Sequence, residues 1–231
     1  LWGFLTRYLS YIDKGGFDFV KLLLGAVIFW DFFNRIIYGI TMGFLEDVWA
    51  RNFLNLFCSP ITIKEYILGL IFSSLITGSF AFLIMVFIVC LVFKLSFFGY
   101  GIIIFPFLVV LLIFGTALGV FSMAIMLRFG PSAEWLIWPI PAIISPFAGI
   151  FYPISILPNW MQFISKVLPA SYIFESLRKF VLLNYISYLD LFFGLSLAIF
   201  YLIFFCIILY LTYNRCLKTG SLTRYNAENI F

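Results

Sequence analysis

Long apolar runs separated by short polar connections dominate the chain. A helix needs about 20 apolar residues to cross the hydrocarbon layer of a bilayer. Runs that can form or complete such helices are residues 1–12, 22–45, 66–93, 101–127, 135–152 and 190–214. None shows the period-two alternation of a transmembrane β-strand. The pattern predicts an all-α integral membrane protein of six transmembrane helices in one domain, 1–231. The first helix is expected to be truncated, since the sequence opens at Leu1 inside an apolar run.

The composition supports the same class. Hydrophobic residues make up 65% of the 231 residues and charged residues only 10%, and the mean hydropathy is +1.15. A soluble domain of this length has too little interior to bury so much apolar surface. We therefore expect membrane lipid to be the solvent of this chain and one of its partners.

The missing residue types exclude several kinds of chemistry. Without any histidine, the chain has no His-based catalytic triad and none of the common zinc sites. Carboxylates are not clustered, and no GxxxxGK[ST] motif is present to cradle ATP phosphates. The net charge of +4 is scattered, whereas a nucleic-acid binder needs a basic stripe. The sequence predicts a non-enzyme with no catalytic residue, metal site or bound cofactor and no nucleic-acid partner.

Residues 44–65, between the second and third predicted spans, have an amphipathic pattern. Polar Asp47, Arg51 and Asn55 recur at spacing four, and apolar residues fill another face. This pattern is typical of a helix in the membrane interface, although an ordinary surface helix fits it equally well. Asp47 and Arg51 are spaced for an i,i+4 ion pair. Thr62 and Glu65 have the spacing of a capping box that starts the next helix.

Prolines concentrate before the last predicted span. The chain has nine prolines, of which these lie close together: Pro139, Pro141, Pro146, Pro153, Pro158 and Pro169. Each proline breaks or kinks a helix, and broken backbone at membrane depth is tolerated only inside protein or beside a watery cavity. We therefore expect re-entrant helices over residues 146–180, with an ordinary external loop as the alternative. Glu175 and Lys179 are expected to form an i,i+4 pair.

Two charged residues interrupt the second predicted span. Asp31 and Arg35 are four residues apart, so that they can neutralise each other on one helix face. Charges at this depth are costly and mark a pair or a function. We expect a structural pair that faces the helix bundle, with a substrate contact as the alternative.

Small residues at spacing four predict close helix packing. Three rows of this kind occur, although chance also produces such rows in a chain with many glycines and alanines. They are Gly69 with Ser73, Thr77 and Ala81, then Gly115 with Gly119, and Gly194 with Ala198.

Several segments resemble the type-2 ABC exporter permeases. Residues 148–158, 168–172 and 175–178 are similar to the proline-rich signature of that family. Residues 44–52 and 58–62 resemble its cytoplasmic segment between the second and third spans, and residues 1–5 resemble the end of its first span. The resemblance covers nearly the whole chain.

The resemblance implies an architecture and a set of partners. Family members have six spans and pair as dimers, so a second permease copy is expected, most simply as a homodimer. Each permease subunit works with an ATP-binding cassette subunit, which would hold the ATP and Mg while this chain binds no cofactor. Both termini would be cytoplasmic. The Lys and Arg residues do not indicate the orientation, because they are divided evenly between the two sides of the membrane. The location would be the cell inner (plasma) membrane.

The resemblance also assigns roles to two segments. Residues 44–65 would be the cytoplasmic coupling helix, and its contacts with the ATPase are expected from Glu46, Asp47, Arg51, Asn52 and Asn55. The re-entrant region would lie near the outer face. Its expected key residues are Pro146, Gly149, Pro153, Pro158, Pro169, Glu175 and Arg178.

The expected function is that of a permease subunit in an ATP-driven exporter. An apolar and aromatic composition favours an amphiphilic, drug-like or lipid-like cargo. An exporter of polysaccharide or of a lipid-linked glycan is the alternative within the class. A channel or a non-transporting membrane scaffold is the alternative outside it.

Overall fold

The computed structural model describes residues 17–50, 60–93, 104–183 and 185–219, and these residues are almost entirely helical with no strand among them. The four long helices there are α1 (Phe17–Trp49), α2 (Ile63–Phe93), α3 (Ile104–Phe129) and α8 (Tyr188–Thr219). The short helices are α4 (Glu134–Ile137), α5 (Ile140–Ile144), α6 (Asn159–Val167) and α7 (Pro169–Leu183). Single 3₁₀ turns occupy Pro131–Ala133 and Ile154–Ile156.

The long helices confirm the all-α membrane prediction. Each of α1, α2, α3 and α8 contains a stretch long and apolar enough to cross a bilayer. They coincide with the predicted spans 22–45, 66–93, 101–127 and 190–214. The predicted partial span 1–12 lies outside the described residues, so the count of six stays a prediction.

The fifth predicted span, residues 135–152, is not one continuous helix. It is divided into α4 and α5, which are followed by turns from Ser145 onward. Pro139, which immediately precedes α5, has no backbone N–H to continue a helix, and Pro141 lies in its first turn. Proline also clashes with the preceding turn. The prolines therefore shorten this segment to less than a membrane-length helix, whereas the apolar composition alone suggested a complete span.

The segment that begins at Phe44 also differs from the prediction. Helix α1 continues without a break to Trp49, because Phe44, Leu45 and Val48 are buried in the core and nothing up to Trp49 breaks the helix. Residues 44–49 therefore belong to α1 and not to a separate interfacial helix. Residues 51–59, which hold the rest of the amphipathic pattern, lie outside the described part of the chain.

The predicted capping box at the start of α2 is confirmed. The Thr62 backbone N–H donates to Glu65 Oε2 at 2.8 Å, and the Glu65 N–H donates to Thr62 Oγ1 at 3.3 Å. The reciprocal bonds satisfy backbone N–H groups that have no partner within the helix. They set the point at which the chain enters α2.

Helix α1 is packed between α2, α3 and α7, while α3 makes its largest contact with α8. The rings of Phe33 and Phe114 stack with centroids 5.4 Å apart. The predicted Gly115–Gly119 row packs against α1: a Cβ added at Gly119 would lie 2.9 Å from Ile40 Cβ. These two glycines therefore allow the backbones of α1 and α3 to approach closely, as predicted.

The small-residue row on α2 does not pack as predicted. Gly69, Ser73 and Thr77 are exposed, and Gly69 has no atom near the position of its missing Cβ. A neighbouring row packs instead, since Ser74 Oγ donates to the Ile36 carbonyl at 2.9 Å and Gly78 lies against Ile36. The two rows are offset by one residue, or about 100° around the helix. Spacing alone cannot decide which of them meets α1.

The third predicted row is buried. Gly194 and Ala198 of α8 are both buried, and a Cβ added at Gly194 would lie 3.4 Å from Tyr172 Cβ of α7. This row therefore brings α8 close to α7, as predicted.

Candidate functional site

The predicted ion pair on α1 is present. Arg35 Nε donates to Asp31 Oδ2 at 2.6 Å, four residues apart on one helix. The side chains are 49% exposed for Arg35 and 34% exposed for Asp31. Among the described helices the pair thus lies on a partly uncovered side of α1. The expectation that it faces the bundle stays a prediction, since residues 1–16 and a second copy lie outside the described part.

Asp31, Asn34, Arg35 and Tyr38 form what we call the polar face of α1. Their spacing of three and four residues brings them to one side of the helix, near the middle of α1. Asn34 Oδ1 is buried without a hydrogen-bond partner in the described part of the chain. An unsatisfied buried acceptor costs about 1–3 kcal/mol, so Asn34 is locally unfavourable for stability at this position.

The polar face ends at a pair of aromatic rings. The ring of Tyr38 lies 5.4 Å from that of Trp138, and the Tyr38 hydroxyl donates to the Trp138 carbonyl at 3.3 Å. Trp138 Nε1 donates in turn to Glu134 Oε1 at 3.2 Å. Glu134 of α4 thus holds Trp138 against Tyr38, about one helical turn from Arg35 on α1. Sequence reasoning missed Asn34, Tyr38, Glu134 and Trp138 as parts of one site.

The proline-rich region is fastened to α7 by two charged side chains. Glu175 Oε1 accepts a hydrogen bond from the Ile154 N–H at 2.8 Å, and Arg178 Nη2 donates to the Gly149 carbonyl at 2.8 Å. Arg178 Nη1 lies 3.0 Å from Glu175 Oε1, close enough for an ion pair although it lacks hydrogen-bond direction. We call Gly149, Ile154, Glu175 and Arg178 the proline-rich staple.

Gly149 is required by the shape of the staple. Its φ of +67° lies in the left-handed region, which side chains other than glycine rarely adopt. A Cβ at this position would also lie 2.9 Å from Ile154 Cγ1. The turn therefore brings the Gly149 carbonyl within reach of Arg178.

The remaining predicted prolines shape the same region. The Pro146 carbonyl accepts a hydrogen bond from the Tyr152 hydroxyl at 2.7 Å. Pro153 precedes the 3₁₀ turn Ile154–Ile156, Pro158 precedes α6 and Pro169 begins α7. Prolines thus stand at helix starts, where the missing N–H costs nothing. They divide residues 146–180 into short helices.

The expected pair of Glu175 with Lys179 is wrong. Glu175 lies against Arg178, and Lys179 Nζ donates to Asp190 Oδ2 of α8 at 2.6 Å. Asp190 lies in the first turn of α8 and could not be found from spacing within α7. Burial and the negative charge of Asp190 also raise the pKa of the Tyr172 phenol above its usual value.

At the C-terminal end of α1, Asp47 has a partner that sequence spacing did not indicate. The Tyr66 hydroxyl of α2 donates to Asp47 Oδ2 at 2.7 Å, which joins the last turn of α1 to the first turns of α2. Glu46 is exposed. Arg51, Asn52 and Asn55 lie outside the described residues, as does the expected Asp47–Arg51 pair.

Comparison with protein families decides the class. The family model described as ABC-2 type transporter matches residues 1–182. This chain belongs to the ABC-2 type transporter family. It is therefore a transmembrane permease component of an ABC transporter, and the family generally works with an ATP-binding subunit.

The match to the ABC-2 type family includes the polar face of α1, the Asp47–Tyr66 bond and all but the last residue of α7. It confirms the resemblance drawn from the proline-rich segments and from residues 44–52 and 58–62. No curated protein matches the chain.

Proposed function

We propose that this chain is the permease subunit of an ATP-driven exporter and forms the translocation path of the complex. The observation that carries the proposal is the ABC-2 type family match over residues 1–182, which spans the long helices α1 to α3. In this proposal the chain pairs with a second copy of itself in the cell inner membrane. A separate ATP-binding cassette subunit holds ATP and Mg.

The division of labour follows from the sequence. The chain contains no phosphate-binding GxxxxGK[ST] motif, so energy must enter through contact with the ATPase subunit. Binding of ATP would favour one arrangement of the two ATP-binding subunits. The permease dimer would change its conformation with them, because the permease and the ATP-binding subunits are in contact.

We place that contact at residues 44–65, with Glu46, Asp47, Arg51, Asn52 and Asn55 as the expected contact residues. Two features support this placement. Glu46 is exposed at the end of α1, where a partner can reach it. The Asp47–Tyr66 hydrogen bond of 2.7 Å ties the ends of α1 and α2 together, so that a push on the segment between them acts on both helices.

An amphiphilic cargo is favoured by the chemistry at the middle of α1. A charged pair lies there about one helical turn from Tyr38, whose ring contacts that of Trp138, within a chain that is otherwise strongly apolar. A molecule with a polar head and an apolar body fits such surroundings better than a long, uniformly polar glycan.

The proposal is tested by reconstitution with the ATP-binding cassette subunit of the complex. We expect the purified chain to hydrolyse no ATP by itself, to co-purify with that subunit, and to support ATP-dependent uptake of a fluorescent amphiphile into inverted vesicles. The control is the same complex with a catalytically dead ATPase subunit. Robust hydrolysis by the isolated chain, or stable assembly without any ATP-dependent transport, would contradict the proposal.

A further inference from the structure

The polar face of α1 is exposed at a depth where lipid cannot accommodate it. Asp31 and Arg35 lie near the middle of a 33-residue helix, and about half of the Arg35 side chain is uncovered. Charged side chains inside a membrane face the bundle interior or a water-filled cavity. Because this pair is not enclosed by the described helices, it must look into water or against polar groups.

The ion pair leaves most of its hydrogen-bonding capacity unused. Arg35 donates to Asp31 only through Nε, so its two terminal amino groups make no hydrogen bond to the described part of the chain. Asp31 accepts only through Oδ2, and Asn34 Oδ1 is buried without a donor. A pair that served only to neutralise two charges has no need of these additional groups.

The unused groups have a defined chemical complement. The terminal amino groups of a guanidinium form the planar fork that binds phosphate through two hydrogen bonds. Asp31 Oδ1 adds an acceptor oxygen, which suits an ammonium or hydroxyl group. The nearby Tyr38 and Trp138 rings also attract a cation.

We infer that the polar face of α1 lines a water-accessible path and binds the phosphate-bearing head group of an amphiphile, with phosphate at Arg35 and an amine or hydroxyl at Asp31. The inference rests on the proposed function, since it assigns a cargo-binding role to one face of the permease. It adds a site and a ligand class that the family match does not specify.

The first test measures whether water reaches the polar face. Tyr38→Cys and Phe80→Cys are made in a chain whose own four cysteines are replaced by alanine, and the complex in liposomes is treated with a charged sulfonate thiol reagent. Phe80 is the matched control, since it is 66% exposed near the middle of α2. We expect Tyr38→Cys to react roughly tenfold faster. Equally slow reaction at both positions would overturn the inference.

The second test measures ligand binding by protection of Tyr38→Cys in alkyl maltoside micelles, which contain no phosphate. Lysophosphatidylethanolamine should slow the reaction roughly tenfold. Arg35→Gln should abolish this protection, and Arg35→Lys should retain part of it. Inorganic phosphate and additional alkyl maltoside are the two control probes. Equal protection by either of them, or full protection in Arg35→Gln, would overturn the assignment to a phosphate-bearing amphiphile.

These outcomes are separable from those of the proposed function. A complex that transports in an ATP-dependent manner but shows no difference between Tyr38→Cys and Phe80→Cys would overturn only the further inference. A chain that shows the labelling and protection pattern but never couples to an ATPase would overturn only the exporter proposal.

Discussion

Helices α1 and α2 are similar in length and lie side by side, yet they meet different surroundings. In their most apolar windows, 67% of α1 is buried inside the chain but only 17% of α2. The uncovered part of α1 carries the Asp31–Arg35 pair. The uncovered part of α2 between Leu68 and Val92 carries no charged residue, and the Thr77 hydroxyl there donates to the Ser73 carbonyl at 2.9 Å.

In a membrane protein, a helix face that the rest of the chain leaves uncovered can be suited either to lipid or to water and polar partners. A face whose hydroxyls are satisfied within the helix can lie against hydrocarbon at little cost. A face with charged groups cannot, because the charges keep a need for water or for polar partners. The outward face of α2 is therefore suited to lipid and that of α1 to a path or a partner.

The largest effect is expected where α1 meets α3. Phe114→Ala removes a ring stacked 5.4 Å from Phe33 at the centre of the core, and truncations of this kind cost about 3–5 kcal/mol. Thermal unfolding of the purified chain in detergent should show the loss. Phe80→Ala, on the outward face of α2, is the matched control and should unfold near the wild-type temperature. Equal losses in both variants would remove the distinction between the two faces.

Helix approach provides the next contrast. Gly119→Leu would force side-chain atoms into Ile40, which lies 2.9 Å from the position of the first added carbon, and overpacking of this kind costs up to about 3 kcal/mol. Gly69→Leu on α2 enters open space and should be tolerated. The yield of monodisperse protein and its thermal stability measure both. A stable Gly119→Leu variant would contradict the packing of α1 on α3.

The proline-rich staple allows the same contrast between adjacent residues. Arg178→Met leaves the Gly149 carbonyl without its donor and Glu175 with the Ile154 N–H alone, and such a loss costs about 2 kcal/mol. Lys179→Met breaks a more exposed pair with Asp190 and should cost less than about 1 kcal/mol. Protease cleavage between residues 146 and 158 should accelerate in the first variant only. Unchanged cleavage in Arg178→Met would show that the staple does not hold this region, and equal acceleration in both variants would remove the contrast between the two residues.

The smallest effect on stability is expected at the Asp47–Tyr66 bond. Tyr66→Phe removes one hydrogen bond of 2.7 Å, which contributes about 0.5–1.5 kcal/mol, so that the protein should fold and bind its ATPase. We expect instead fewer cargo molecules transported per ATP hydrolysed, because the ends of α1 and α2 are no longer tied. Tyr188→Phe, at an exposed tyrosine of α8, is the control. An unchanged transport ratio in Tyr66→Phe would exclude a role of this bond in coupling.

Local interactions could be predicted from the sequence because their partners are separated by a few residues on one helix. The Asp31–Arg35 pair and the Thr62–Glu65 capping box depend only on helix geometry, and both are present. The long apolar helices likewise follow from runs of residues that can be satisfied only in lipid. The proline-rich segments also carried enough information to indicate the family.

The tertiary structure decided which faces meet and which charged groups pair across helices. Spacing could not select Ser74 and Gly78 over Gly69 and Ser73, because a rotation by one residue fits the same row. It could not pair Asp47 with Tyr66 or Lys179 with Asp190, since those partners lie on other helices. Nor could it place the Asp31–Arg35 pair on an open side of α1. That exposure depends on how α2 and α3 pack around α1. A local sequence pattern does not determine contacts between residues that are far apart in the chain.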